Sequence, residues 1–363
     1  MTNVDGNKKK PKMSLAKAGS LALLTLFGGY FLSENMVHSK ATNIPIYSSL
    51  FTKRLNDKEA VKIKGIEKII SSNGDSPDII FMPQRHPLMD ISKVRSTVDF
   101  ADFLNSLEGI CNQLHDKYNV KSILLEGYPE WVAREYNKNG QFRFDYSKIN
   151  LDQAQFWQGY ENIINGREWN LYAAESKETV AAKDIEEQEI VQFMEKFNMK
   201  VNKECEKFLN EEIYSKEKGS RKIDMTKYND VIHNIFTKAI KDLSPAAYEE
   251  FDRMMTPEKM DNLYSVVFNK RNDYVLEQCM KCIDEKKSPI IVVYGSKHTE
   301  ALLNEMKERN LKYLAVLPEH SKEEYSCSKE DLKEFYKIST FPGGNSKTKF
   351  RIMLTENGFV VTK

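Results

Sequence analysis

The fold is predicted most directly by Ile290–Leu303, with the sequence IIVVYGSKHTEALL. An uncharged run of mostly β-branched residues ends at Gly295, and a helical pattern begins at Thr299. A short apolar run that stops at a glycine is typical of a strand buried on both faces of a sheet. The stretch therefore predicts a strand, a tight turn and a helix, with His298 placed where the strand ends.

The same alternation of strand and helix patterns continues along most of the chain. It predicts an α/β fold, with a mainly parallel sheet flanked by helices. The further strands are expected in PDIIFM, KSILLEG, WNLYAAE and KYLAVL, which end near Met82, Glu126, Glu175 and Leu317. Helices are expected over 57–72, 97–117 and 151–164 and from Thr299 onward.

Two parts of the chain depart from this alternation. Residues 177–286 are almost entirely helical in pattern, with breaks expected near Gly219, Pro245 and Pro257. This block is too long for a simple crossover, so we expect a large helical insertion beside the sheet. The tail FRIMLTENGFVVT predicts a C-terminal hairpin that turns at Asn357-Gly358.

The amino terminus carries a targeting pattern. Five lysines precede the uncharged run Ala18–Ser33, which is long for a signal-peptide core and slightly short for a spanning helix. This charge bias predicts a cytoplasmic amino terminus, with the main domain on the non-cytoplasmic side of a membrane. We divide the chain into a basic segment with signal peptide or anchor (1–41), a tether (42–56) and the α/β domain (57–363). Cleavage after Ala41, retention as an anchor, and a buried amphipathic helix are the alternatives.

Composition limits the partners. Lys and Arg total 54 against 53 Asp and Glu, so the formal charge is +1 and no bulk field attracts polyanions. This balance argues against nucleic acid as a partner. The five cysteines do not form a disulfide framework. Cys279 and Cys282 form a C-x-x-C in a helical pattern, to be weighed as a redox or metal pair against ordinary helix positions.

Titratable residues recur where the predicted strands end. His86 follows the first parallel strand, Glu126 and Glu175 close the next two, and His298 follows the strand that opens this section. Because the carboxyl ends of parallel strands lie along one edge, we expect these four side chains to converge. Two histidines and two carboxylates suit either a divalent metal with a bound water or metal-free acid/base chemistry on a water.

The residues around His298 and Arg271 each allow two interpretations. Gly295 would let the backbone turn tightly off the strand, and the positive end of the helix dipole would favour a neutral His298 imidazole. His298 then serves either as a ligand or base, or merely as a helix cap. Arg271-Asn272 opens another helix, where Arg271 either points into the site to bind an oxyanion or lies in solvent.

The ordered set PQRHPLMD, ILLEGYPE, LYAAES, NKRND and YGSKHTEALL resembles the superfamily of erythromycin esterase, the ChaN haem-binding lipoproteins and the TraB/Tiki proteins. The similarity covers the sheet-forming parts from about Asp78 to Leu317. Tiki-like members carry two G-x-x-H motifs plus a glutamate and act as metal-dependent proteases. Esterase members use histidine and glutamate to activate water on a lactone, and ChaN-type members bind haem or iron.

The resemblance implies a role for single residues of this chain. The second G-x-x-H corresponds to Gly295 and His298, the glutamate to Glu126, a further acidic position to Glu175, and an RN pair to Arg271 and Asn272. The first motif departs from the pattern, because Pro83 stands where a glycine is expected before His86. Proline stiffens this turn, which puts the placement of His86 in doubt.

These observations lead to the expectation of a membrane-targeted hydrolase that acts on a peptide, ester or lactone bond. His86, His298 and Glu126 would bind a divalent metal such as Mn²⁺, Zn²⁺ or Co²⁺ or would activate water directly, while Glu175 would support them. Arg271 would stabilise the developing negative charge. The alternatives are a non-catalytic haem or iron binder, in which Tyr294 would lie beside His298, and a degenerate member with a binding role.

Overall fold

A computed structural model describes residues 54–73, 75–84, 97–143, 151–209, 225–321, 325–340, 351–355 and 358–362. The strands are β1 (Ile66–Asn73), β2 (Ile79–Gln84), β3 (Ser122–Leu125), β4 (Asn170–Tyr172), β5 (Ile290–Gly295), β6 (Tyr313–Pro318), β7 (Arg351–Thr355) and β8 (Gly358–Thr362). The α-helices are α1 (Asp57–Ala60), α2 (Thr97–Tyr118), α3 (Glu130–Asn139), α4 (Leu151–Asn165), α5 (Lys177–Leu209), α6 (Met225–Met254), α7 (Pro257–Tyr264), α8 (Lys270–Asp284), α9 (Thr299–Glu308) and α10 (Lys329–Thr340).

Six of the strands form one sheet in the order β1-β6-β2-β5-β3-β4. β1 runs antiparallel to β6, and the other four pairs are parallel. Both faces of the sheet are covered by helices. The predicted α/β class with a mainly parallel sheet is therefore confirmed.

Alternate residues of the central strands build two separate apolar cores, as expected for a sheet buried on both faces. One core joins the strands to α2, α3 and α4 through the buried residues Ile80, Met82, Phe103, Leu107, Ile123, Tyr160, Ile163 and Val293. The other joins them to α8 and α9 through Ile79, Phe81, Leu124, Val275, Leu276, Val292, Leu302 and Met306. The carboxyl edge of β2, β3 and β5 thus lies between two layers of packed helices.

The helix expected over 57–72 is wrong. The helix ends at Ala60, Gly65 takes a positive φ of 98°, and β1 follows. Ile66 and Ile69 are three residues apart, which suggested a helix, but register shifts in β1 interrupt the alternation of side chains there. Both isoleucines consequently pack against the same core, while Ile70 packs against the other.

The helical block contains a second correction. No break occurs at Pro245, which lies inside α6, where the neighbouring Ser244 hydroxyl donates a hydrogen bond to the Ile240 carbonyl at 2.6 Å. Pro257 does mark a boundary, because α7 begins there. The break expected near Gly219 falls outside the described residues.

The C-x-x-C pair lies on α8, inside one of the two apolar cores. Burial raises the pKa of both Cys279 and Cys282, which holds the thiols protonated at neutral pH. This environment fits ordinary helix positions rather than a redox pair.

The chain separates into two compact units. One contains residues 54–186 and Pro257–Lys333, and so holds the six-stranded sheet. The other contains Glu187–Thr256 and Glu334–Lys363, with an antiparallel pair formed by β7 and β8. In this second unit Phe193 and Phe251 pack with ring centroids 5.9 Å apart, and the Tyr336 hydroxyl bonds to the buried Glu187 carboxylate.

The predicted signal or anchor segment (1–41) and most of the tether lie outside the described residues, as does His86. Among the helices that the structure describes, none combines the length and apolar character needed to cross a bilayer.

Candidate functional site

Three of the four predicted edge residues follow neighbouring strands of the sheet. Glu126 comes directly after β3, where its N–H donates to the Val293 carbonyl of β5 at 2.9 Å. His298 closes a single 3₁₀ turn after β5. Glu175 follows β4, and its carbonyl accepts from the Glu130 N–H at 3.2 Å. The fourth residue, His86, lies outside the described residues.

Arg271 joins the two carboxylates. Its Nη2 donates to Glu126 Oε1 at 3.0 Å and to Glu175 Oε1 at 2.6 Å. The three side chains are 12%, 6% and 11% exposed, so these are buried, charge-assisted bonds. Arg271 therefore points into the site and not into solvent. One guanidinium thus serves two carboxyl groups within this group of three.

His298 is held by the residue that follows Arg271. Its Nδ1 lies 2.6 Å from Asn272 Oδ1, and both side chains are buried. Because an amide oxygen can only accept, Nδ1 carries the proton and the lone pair of the neutral ring is on Nε2. The side chain makes no cap hydrogen bond to α9. The interpretation of His298 as a mere helix cap is therefore wrong.

Two aromatic rings fix the plane of the imidazole. The Phe268 ring lies 4.5 Å from it between centroids, tilted by 34°, and Tyr294 meets it edge-on at 4.8 Å. Tyr294 is fully buried, and its ring also lies 5.5 Å from the Arg271 guanidinium carbon. Burial raises the pKa of the Tyr294 hydroxyl against the opposing effect of Arg271, so the phenol stays protonated.

Gly295 is needed for space, and not for the tight turn that the sequence suggested. Its φ of −47° and ψ of 132° are open to any residue. A Cβ at this position would lie 3.0 Å from Glu126 Oε2 and 3.4 Å from His298 Cδ2. The carboxylate and the imidazole thus both lie against the backbone of this glycine.

A π-helical turn precedes Arg271 and Asn272. It covers Ser265–Asn269, between α7 and α8, and contains the Phe268 that packs on His298. Such turns add one residue to a helix and recur at functional sites. Sequence periodicity did not reveal this turn, because apolar residues continue through it at helical spacing.

Pro83 occupies a tolerant position in β2. The ladder to β6 ends at Phe81, whereas the ladder to β5 continues through Pro83 to Gln84. A residue without an N–H is accommodated best where a strand is paired on one side only. Gln84 is a further residue of this edge that sequence reasoning missed, although a polar residue at the end of an apolar strand was the available signal.

The described residues hold no cluster of three or more histidine, cysteine, aspartate or glutamate side chains arranged for a metal ion. His298 and Glu126 are the two predicted ligands that the structure brings together.

No family model, curated protein or solved structure matches this chain.

Proposed function

We propose that the chain is a membrane-targeted hydrolase, similar to the erythromycin esterase, ChaN and TraB/Tiki superfamily, that uses His298 to activate a water molecule. The observation that carries the proposal is the buried His298, whose Nδ1–H is held by Asn272 and whose ring, like Glu126 Oε2, lies against Gly295. A histidine with a fixed tautomer beside a buried carboxylate is the arrangement that general base catalysis requires.

In this mechanism the Nε2 lone pair of His298 accepts a proton from water. The resulting hydroxide oxygen forms a bond to the carbonyl carbon of a peptide, ester or lactone group. The imidazolium then returns the proton to the leaving nitrogen or oxygen as the old bond breaks. The Glu126 carboxylate stabilises the imidazolium, since opposite charges at short distance favour the protonated ring.

The proposal assigns Arg271 chiefly to positioning. Its Nη2 already bonds two carboxylates, so the guanidinium fixes Glu126 and uses Glu175 as a second support. A direct role of Arg271 at the developing oxyanion stays a prediction.

A divalent metal such as Mn²⁺, Zn²⁺ or Co²⁺ fits the donor chemistry in part. His298 Nε2 and Glu126 Oε2 would be ligands, and the predicted third ligand is His86. When bound, such an ion supplies a water of lowered pKa. The hydrogen bond from His298 to Asn272 is the outer contact that metal-bound histidines commonly make.

A second candidate is a haem or iron binder, with no catalytic step. The contact between the Tyr294 and His298 rings favours it, because both side chains are ligands known from haem and iron sites. A Soret band on haem titration of the full chain, together with no hydrolysis, would favour haem binding over the proposed hydrolase activity. A degenerate member that only binds a partner would show neither.

The placement of the domain is also a proposal. The uncharged run Ala18–Ser33 would direct the chain to a membrane, as an anchor or a cleaved signal, with the α/β domain on the non-cytoplasmic side. Within that domain, the helical block 177–286 would be an insertion and the strands β7 and β8 a C-terminal hairpin.

His298→Asn tests the proposed base. The asparagine amide can replace Nδ1–H as donor to Asn272, so the free energy of unfolding should change by about 1 kcal/mol or less. The Nε2 lone pair, by contrast, is lost. We expect hydrolysis in an ester and peptide screen to fall by about a hundredfold or more. Elemental analysis of the parent, run in parallel, identifies any bound metal.

The matched control is His320→Asn. His320 is exposed after β6 and has a positive φ of 64°, which asparagine tolerates well. Its activity should equal that of the parent. Full activity of His298→Asn would refute the proposed base.

A further inference from the structure

Gln84 is a fully buried polar residue whose amide has no hydrogen-bond partner among the described residues. Its side chain is 0% exposed, and both Oε1 and Nε2 lack a partner there. The first four residues of β2, Ile79–Met82, are apolar and belong to the two cores. Buried amide groups are nearly always paired in folded proteins, so a buried amide whose donor and acceptor are both unsatisfied requires an explanation.

The position of Gln84 in the sheet shows where this amide lies. Gln84 pairs in register with Gly295 of the parallel strand β5. Side chains of directly paired residues leave a sheet on the same face. On that face of Gly295 lie Glu126 Oε2 and His298 Cδ2, at 3.0 Å and 3.4 Å from an ideal Cβ. Gln84 therefore borders the carboxylate and the imidazole of the candidate site.

The amide differs in chemistry from these two neighbours. Its Nε2 donates and its Oε1 accepts, and it carries no charge at any accessible pH. A ligand that satisfies both ends must offer an acceptor and a donor in one plane, a few ångströms apart. A secondary amide has this pair in its C=O and N–H. An ester or lactone presents acceptors alone and would leave Oε1 unpaired.

We infer that Gln84 is a ligand-binding residue of this site and that the group it takes is a carboxamide or peptide amide. The inference rests on the proposed function only in that the ligand lies at this sheet edge. It selects amides among the peptide, ester and lactone substrates that the catalytic residues alone leave open.

The binding test compares N-methylacetamide with methyl acetate, which have nearly the same shape and differ in one N–H. Each is titrated into the full chain labelled with ¹⁵N-glutamine, and the Gln84 NH₂ signals are identified by their loss in Gln84→Met. We expect N-methylacetamide to shift these signals and methyl acetate to shift them several-fold less. Equal shifts, or no shift with either probe, would overturn the inference.

The stability test uses the same variant. Methionine has a similar length and no amide, so Gln84→Met removes two buried polar groups that no described residue pairs. We expect its melting temperature to rise by about 2 °C, whereas a glutamine with a structural role would give a fall. In a chain that hydrolyses amides, kcat/KM for a peptide probe should drop about tenfold in this variant.

Asn112→Leu is the matched control. Asn112 Oδ1 is also buried without a partner in the described residues. Three residues further along α2, His115 lies 3.2 Å from the carbonyl of Glu168, which precedes β4 and so lies at the amino edge of the sheet. This change should leave the Gln84 shifts intact. Neither the titration nor the melting curve needs turnover. Both therefore test the ligand-binding role of Gln84 even if the chain hydrolyses nothing.

Discussion

Gly295 determines how closely Glu126 and His298 can approach, because any side chain there would enter the space between them. The first atom that an added Cβ would meet is Glu126 Oε2 at 3.0 Å, a separation below ordinary van der Waals contact. Glu126 is itself held by Arg271, so the carboxylate cannot move away without straining that ion pair.

Gly295→Ala should therefore displace the carboxylate by a few tenths of an ångström and weaken its hold on the imidazole. Because φ is −47°, alanine adds no backbone strain, and we expect stability to fall by only about 1 kcal/mol. The rate of hydrolysis should fall at least tenfold, since small misplacements of catalytic groups have large effects, roughly a hundredfold per ångström. Steady-state kinetics measures the rate of hydrolysis, and urea unfolding of the same sample measures the stability.

Gly109→Ala provides the comparison for this change. Gly109 lies inside α2, and an added Cβ would meet nothing within 4 Å. Alanine at this position should raise stability by about 0.5–1 kcal/mol through its helix propensity and leave hydrolysis unchanged. Equal activity of the two variants would mean that the space over Gly295 has no functional role.

At the scale of the element, the helix from α7 to α8 carries the site through its π turn. The Lys270 N–H donates to the Ser265 carbonyl, five residues back, which marks one extra residue relative to an α-helix. Each residue of an α-helix turns the chain by about 100°, so the extra residue changes which side chains of α8 face the sheet. Arg271 and Asn272 both depend on this phase.

Deletion of Asn269 should convert the π turn into ordinary α-helix. Asn269 is exposed, so the deletion removes no core side chain. The helix on one side must then rotate, and we expect loss of hydrolysis together with a decrease of about 2 kcal/mol or more in unfolding free energy. Asn269→Ala keeps the residue count and should behave as the parent. Parental activity in the deletion variant would show that the π turn is not needed.

The elements that sequence predicted well are those whose pattern follows from burial alone. β2, β3, β5 and β6 are short apolar runs buried on both faces, and α2 has a long apolar stripe. The strand β1 was not predicted, because its register shifts break the alternation that defines a strand pattern. The π turn was not predicted, because the spacing of apolar residues does not reveal which carbonyl each N–H bonds.

The candidate site divides in the same way. A parallel sheet brings strand ends to one edge, and this rule alone predicted that His86, Glu126, Glu175 and His298 would lie there. Their partners could not be predicted, because the bonds from Arg271 and Asn272 depend on the rotation of a helix that is distant in sequence. The burial of Gln84, without a partner in the described part of the chain, is likewise a property of the assembled sheet.

In the whole molecule, the tryptophans make it possible to follow the unfolding of one of the two units separately. The chain has three tryptophans, Trp131, Trp157 and Trp169, and all belong to the unit that holds the six-stranded sheet. Their fluorescence therefore follows that unit alone. Far-ultraviolet circular dichroism follows both units, because the second contains α6 and most of α5.

We expect the two units to unfold as separate cooperative transitions, since each has its own buried core. Phe251 is fully buried in the second unit against Phe193, and Phe251→Ala should destabilise that unit by about 3–5 kcal/mol. The circular dichroism transition should move to lower urea while the tryptophan transition stays in place. Leu107→Ala, in the core beneath the sheet, should shift the tryptophan transition instead. If Phe251→Ala moved both transitions equally, the chain would unfold as one cooperative unit, and the site would depend on the second unit for its stability.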